Sequence, residues 1–174
     1  SIRPTPVDST IPINHPGCIL LPGFTDSHIH FPQTEIIGSA SGPLLPWLAQ
    51  SVFPEEAKFS QPQYAKRIGQ KFCQNLVEAG VCSTAAFSSS HSSSTEILFQ
   101  CLEQKGLKAL AGMTLMNRNA PDHLLFDVAY ARDEMSKLIE RWHGVDNNRL
   151  RYCITPRFAI ACDDQMLKMA GEIA

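Results

Sequence analysis

The chain has 174 residues, of which 44% are hydrophobic and 18% charged, with a formal charge of -2 at neutral pH. That composition is ordinary for a soluble globular chain, long enough for one cored domain and not basic enough to favour nucleic acid. No apolar run approaches the roughly 18 residues a membrane span needs and no signal-peptide pattern opens the sequence, so a cytoplasmic protein without nucleic-acid or membrane partners is expected.

Residues 1–16 carry Pro4, Pro6, Pro12 and Pro16 among polar and β-branched residues, and read as an extended lead-in. The apolar run Cys18 to Leu21 follows as the start of a first strand, closed by Pro22-Gly23-Phe24-Thr25-Asp26-Ser27-His28-Ile29-His30. Side chains on a strand alternate with a period of two, so His28 and His30 are expected to point the same way and to grip one metal ion. Asp26 has two readings: an acceptor that orients an imidazole, or an acid that fixes the turn or a neighbouring amide. An irregular loop runs to Gly42, and a short helical piece spans about Leu44 to Val52.

From residue 60 the pattern becomes regular. Ser60 and Gln63 suggest a capping box around Pro62, and Ala65, Ile68, Phe72, Leu76 and Val77 repeat at helical spacing until Gly80. Val81 to Phe87 reads as a second strand. The serine-rich tract Ser88 to Ser94 is expected to be a βα loop with its N-cap, before a helix from about Thr95 to Gly106. Lys108 to Leu115 is a third strand, followed by a helix whose Ala131, Met135, Leu138 and Trp142 form one face before Gly144. Leu150 to Thr155 is the fourth strand, and Asp163 or Asp164 caps a last helix. Four βα units imply a parallel α/β sheet, either half of a closed barrel or a small open sheet. No G-x-G-x-x-G follows the first strand to support nucleotide binding. The cysteines Cys18, Cys73, Cys82, Cys101, Cys153 and Cys162 contain no C-x-x-C pair and read as buried free thiols.

The run Pro22 to His30 resembles the PG-[FL]-x-D-x-H-x-H signature that ends the first barrel strand of the amidohydrolase superfamily. With Phe31-Pro32-Gln33 added, it is similar to the guanine deaminases of that superfamily. Leu44-Leu45-Pro46-Trp47-Leu48, Phe53-Pro54-Glu55-Glu56-Ala57-Lys58-Phe59, Asn117-Arg118-Asn119 and Thr155-Pro156-Arg157-Phe158 are further landmarks in the expected order. The resemblance implies a partial TIM-like (β/α)8 barrel, its first four βα units on residues 17–174, with residues 1–16 leading in from a small β domain. Such barrels take about 250 residues, so the chain is expected to be a piece of one.

The activity implied is hydrolysis of guanine to xanthine and ammonia, a water made acidic by zinc, or alternatively iron, attacking C2. His28 and His30 match the first two metal ligands. The remaining ligands and the proton-shuttling glutamate would lie beyond Ala174, the first of them within about a dozen residues given short loops, so no catalytic residue is assigned and the chain alone is expected to be inactive. Guanine offers acceptors at O6 and N7, which suit an arginine, while N1–H and N3 suit an amide. Arg157 and Gln33 are the matching substrate-binding residues, with Phe158 stacking on the ring. On residue type alone, a surface Gln, an Arg paired with a nearby acid and a core Phe are the favoured readings, and only the resemblance turns them towards the purine. A homodimer is implied for the complete protein.

His91 falls in the loop after the second strand and is a candidate pocket residue, whereas His15, His123 and His143 read as solvent-side or capping residues. Trp47 is expected to pack the loop over the barrel mouth. Two departures stand out: Asn117 replaces the aspartate common among relatives, and Thr34 replaces an aromatic. The rivals are another amidohydrolase of this group, a triazine chlorohydrolase or adenosine-analogue deaminase, and a non-catalytic half-barrel interaction protein. The second zinc deaminase plan, H-x-E followed by P-C-x-x-C, is not in the sequence.

Overall fold

Every return from one strand to the next passes through a helix, so the strands can only run parallel. The computed structural model describes residues 16–174, and the lead-in reading, Pro16 apart, lies outside them together with His15. The strands are β1 (Phe24–His30), β2 (Val81–Phe87), β3 (Lys108–Gly112), β4 (Thr114–Leu115), β5 (Leu150–Tyr152) and β6 (Thr155–Pro156). β1, β2, β3 and β5 pair in that order, all parallel, and β4 pairs with β6. The third and fourth expected strands are thus each broken into two pieces.

After β1 the chain makes a 3-10 turn over Phe31–Ile36, then α1 (Leu44–Trp47), a π-helical turn over Leu48–Val52 and α2 (Phe53–Ala57). The long helices are α3 (Pro62–Glu78), α4 (Ser92–Lys105) and α5 (Val128–Trp142); the single turn α6 (Val145–Asn148) and the helix α7 (Asp164–Ile173) complete the chain. Helix α3 buries Ala65, Ile68, Phe72 and Leu76 of the expected stripe, with Cys73 beside them, whereas Val77, in the last turn, is 44% exposed. Its expected capping box does not form. Gln61 holds the N-cap position, and Ser60 instead donates to the Ala57 carbonyl at 2.9 Å, because it ends the preceding 3-10 turn. Helix α4 starts at Ser92, so the serine tract supplies both the loop and the first helical turn. Asp127 and Asp163 cap α5 and α7 by accepting from the amides of Tyr130 and Met166.

The main core lies between sheet and helices, with Phe31, Phe59, Phe99, Leu98 and Ile68 fully buried and Phe99 stacked on Trp142 at 5.2 Å. A second, smaller cluster joins Leu48, Val52 and Phe53 to Met116, Leu124 and Ala161, and so fastens α1 and α2 to the ends of β4 and β6. Cys18 to Leu21 forms no strand: it precedes β1, and Ile19 and Leu20 are 86% and 96% exposed. The cysteines are all free, but Cys18 and Cys82 are exposed and Cys153 half-buried, so burial holds only for Cys73, Cys101 and Cys162.

The breaks in the strands have a common cause. At Gly112 the backbones of β3 and the fourth strand come so close that an added Cβ would run into the Cys153 carbonyl and lie 2.8 Å from Thr155 Oγ1. Here the Tyr152 hydroxyl accepts from the Met113 amide at 3.1 Å, and Thr155 Oγ1 donates to the Met113 carbonyl at 2.8 Å, so side chains replace ladder bonds while the strands bend. Gly112→Ala is expected to destabilise the fold by about 2–3 kcal/mol, the cost of overpacking against backbone, measured as a lowered urea midpoint with an unchanged slope.

Candidate functional site

Strand β1 carries the two histidines at its C-terminal end. Its register against β2 runs Asp26 with Thr84, then Ile29 with Ala86, so β1 holds one extra residue across Ser27 and His28. Asp26 Oδ1 accepts from the His28 amide at 3.1 Å and pins this bulge. Of its two readings, the backbone anchor is the one the structure displays. The imidazoles nevertheless lie together, with ring centroids 5.2 Å apart and planes 76° from parallel. Phe87, at the end of β2, supports both: His30 stacks on it at 4.8 Å and His28 meets it edge-on at 5.4 Å.

His30 is the more buried of the pair. Burial, the Arg157 charge and His28, in that order, push its pKa down to about 4. It is therefore neutral at pH 7, the form in which imidazole donates its lone pair to a metal. Among the described residues no three His, Cys, Asp or Glu side chains gather closely enough to enclose an ion. Two adjacent imidazoles fit part of a divalent-metal site, in line with the His-rich sets that zinc takes.

Gln33 sits in the 3-10 turn directly after β1. Phe31 anchors that turn in the core, Pro32 opens it, and the Thr34 hydroxyl closes onto the Phe31 carbonyl at 2.7 Å. Thr34 thus spends its hydroxyl on its own turn. Arg157 follows β6, its amide donating to the Leu115 carbonyl at 3.2 Å. Its guanidinium Nη1 donates to Glu56 Oε2 at 2.5 Å, the two side chains being 3% and 5% exposed, and lies over the Phe53 ring at 5.4 Å. The other oxygen of Glu56 accepts from Gln33 Nε2 at 3.5 Å. One buried carboxylate therefore joins the amide and the guanidinium. Phe158 is half-buried and packs into the smaller cluster with Phe53 and Ala161.

A cavity of about 460 Å³ opens beside His28, His30 and Gln33 and is walled by Thr34, Trp47 and Phe72. Arg157 and Phe158 do not line it. Trp47 packs against the smaller cluster, reaches Ser39 Oγ at 3.5 Å through Nε1 and walls the cavity. His91 lies elsewhere, edge-on to Phe126 at 5.7 Å, with its Nε2 buried and unpartnered. Burial and nearby His123 lower its pKa. His143 caps α5 and bonds the Tyr152 carbonyl through Nδ1 at 3.2 Å.

Residue-type reasoning missed three contributors. Glu56 was visible only as a landmark, although an acid in a run shared with Phe53, Ala57 and Phe59 signals a buried cation as partner. Phe87 carried no sequence signal beyond its strand. The Asn117-Arg118-Asn119 run clamps the segment after Arg157: Asn117 Oδ1 accepts from the Asp163 amide at 2.9 Å, Arg118 Nη2 donates to the Ala159 carbonyl at 3.3 Å, and Asn119 Nδ2 donates to the Ile160 carbonyl at 2.5 Å. An uncharged Asn117 suits that tether.

Paired histidines where the first strand of a parallel βα array ends, faced by polar groups from later loops, are the layout of the opening units of a hydrolase-type (β/α)8 barrel. The amidohydrolase family's sequence pattern matches residues 19–174, and the chain belongs to that family. It is 36% identical to guanine deaminase of Escherichia coli (strain K12) over 90% of this chain and 35% of that protein. The solved E. coli guanine deaminase superposes with a TM-score of 0.82, over 87% of this chain and 35% of its own. A guanine deaminase from C. acetobutylicum, solved with guanine bound in its active site, is 32% identical with a TM-score of 0.84, covering 87% of this chain and 36% of that one. A probable guanine deaminase of Deinococcus radiodurans is 34% identical over 90% of this chain and 35% of that protein. The chain thus spans about a third of the length of the relatives it matches.

The depressed His30 pKa has a signed consequence. An unfolded histidine takes its proton near 6.5, so the group's contribution to stability is complete above that pH and is lost as pH falls from 6.5 towards 4. Imidazole NMR of the metal-free chain is expected to place the His30 midpoint near 4, and Arg157→Gln is expected to raise it by removing one of its causes.

Proposed function

We propose that this chain supplies the purine-reading groups and part of the metal-holding set of a guanine deaminase, which hydrolyses the C2 amine of guanine to give xanthine and ammonia. The observation that carries the reading is the Gln33–Glu56–Arg157 bridge beside the paired imidazoles, on a chain whose relatives are named guanine deaminases. Arg157 directs Nη1 to Glu56 and to the Met116 sulfur, and has the N–H groups of Nε and Nη2 left for the O6 and N7 acceptors of guanine. Gln33 addresses the N1 to N3 edge, which an amide matches because it both donates and accepts. Phe158 offers a flat face to the ring.

His28 and His30 would hold zinc, or iron. Such an ion supplies a Lewis acid and a water acidified towards neutrality. The chain's own part is to keep both imidazoles adjacent: Phe87 fixes their planes, and Asp26 fixes the backbone at His28. No third ligand is grouped with them among the described residues, so we read the 174-residue chain by itself as a weak metal binder that does not turn over, and the complete protein as a cytoplasmic homodimer acting on free guanine.

A triazine or adenosine-analogue substrate gives the bridge no comparable task, since neither presents the O6 acceptor beside an N1–H. In the complete protein, ammonia release is expected from guanine and not from adenine-type or chlorotriazine substrates; the opposite ranking would remove the reading. His28→Ala with His30→Ala is expected to strip the metal, measured by elemental analysis, and to lower kcat/KM for guanine by more than about a hundredfold, the upper end of what supporting residues alone cost.

A further inference from the structure

We infer that Glu56 is a positioning residue that sets the substrate selectivity of this site, by fixing which end of the Gln33 amide faces the purine. The inference rests on the guanine deaminase reading and deepens it. An amide side chain can turn over by 180° at little cost in shape, exchanging donor for acceptor, so a lone glutamine reads a purine edge ambiguously. A carboxylate removes the ambiguity because, when ionised, it only accepts. Glu56 Oε1 lies 3.5 Å from Gln33 Nε2, and the alternative amide orientation would set two oxygens against each other there.

Glu56 is held in place for this task. Its other oxygen takes a hydrogen bond from Arg157 Nη1 at 2.5 Å, and the pair is 5% and 3% exposed, so the carboxylate has a cation and almost no water. Burial also fixes its place: Glu56 lies on α2 between Phe53 and Phe59, which are anchored in the smaller and the main core cluster respectively. The neighbouring Glu55 is engaged on its own side by Tyr64 and by Lys58 at 2.5 Å, so α2 cannot rotate to trade one acid for the other.

The remaining valences then define the base. Gln33 keeps Oε1 as a free acceptor and one spare N–H, and Arg157 keeps donors only. A ring that places an N–H at position 1 next to an oxygen at position 6 satisfies both residues. A ring with an acceptor nitrogen at position 1 and an amine at position 6, as in 2,6-diaminopurine, sets lone pair against Oε1 and N–H against guanidinium. Both rings carry the same reacting amine at C2, so discrimination between them reads the amide orientation and not the chemistry.

The test is kcat/KM for guanine against 2,6-diaminopurine in the complete, metal-loaded protein, for the wild type and Glu56→Gln. The introduced amide can donate as well as accept, which lets Gln33 turn over while side-chain volume is kept. The ratio is expected to fall at least about tenfold, through a higher KM for guanine and a lower one for 2,6-diaminopurine, with both proteins compared at matched metal content. A variant ratio within about twofold of the wild type would overturn the inference. Should E56Q not accumulate as folded protein, Glu56→Asp keeps the charge that Arg157 faces while drawing the carboxylate back from Gln33, and is read by the same ratio and the same threshold. A folded, metal-loaded wild type inert towards guanine would overturn the functional reading and this inference together, whereas an active wild type with an unmoved ratio overturns the inference alone.

Discussion

The buried ion pair between Glu56 and Arg157 is the constraint on which the site depends, since it links residues 101 positions apart in the chain and leaves neither partner exposed to water. Breaking such a pair by removing one member costs about 3–5 kcal/mol, because the survivor is left charged in a poor dielectric. That penalty acts as a geometric lock. It ties α2, which belongs to the long loop after the first strand, to the end of the fourth strand, so the loop cannot swing out without uncovering a charge. The smaller hydrophobic cluster closes the same joint with apolar contacts from Leu48, Val52 and Phe53 to Met116 and Ala161.

The pair also shapes the field around the histidines. Arg157 contributes to the low pKa of His30, and an uncompensated guanidinium would repel a metal dication as it repels a proton. Glu56 puts a negative charge against that guanidinium at hydrogen-bond distance, so the region is nearly neutral as a whole while His30 still titrates low through its burial. A neutral His30 and a compensated arginine are compatible with one another. An exposed pair of the same residues would be screened and worth little.

Local backbone devices do the aiming. The bulge in β1, held by Asp26, sets the two imidazoles against Phe87. The close approach at Gly112 bends the third and fourth strands at one level, and the Asn117 to Asn119 clamp then fixes the segment that starts at Arg157. Each device acts on backbone position, so a handful of side chains are directed by residues that take no part in binding.

The sequence by itself determined the alternation of four strands with four amphipathic helices, the paired histidines at the end of the first strand and the polar candidates Gln33 and Arg157. These are local signals: helical spacing, strand period and turn residues act over a few positions, and the stripe Ala65, Ile68, Phe72, Leu76 is buried as its spacing predicts, its last member Val77 excepted. Boundaries fared worse where a tertiary contact competed, as with the exposed run Cys18 to Leu21, the failed capping pair at Ser60 and the strands split at Met113 and at Cys153. Only the tertiary structure decided that Asp26 serves the backbone, that Glu56 joins Gln33 to Arg157, and that Phe87 carries the histidine rings. A buried charge finds its partner across the fold, and no periodicity within one segment encodes which distant strand will deliver it.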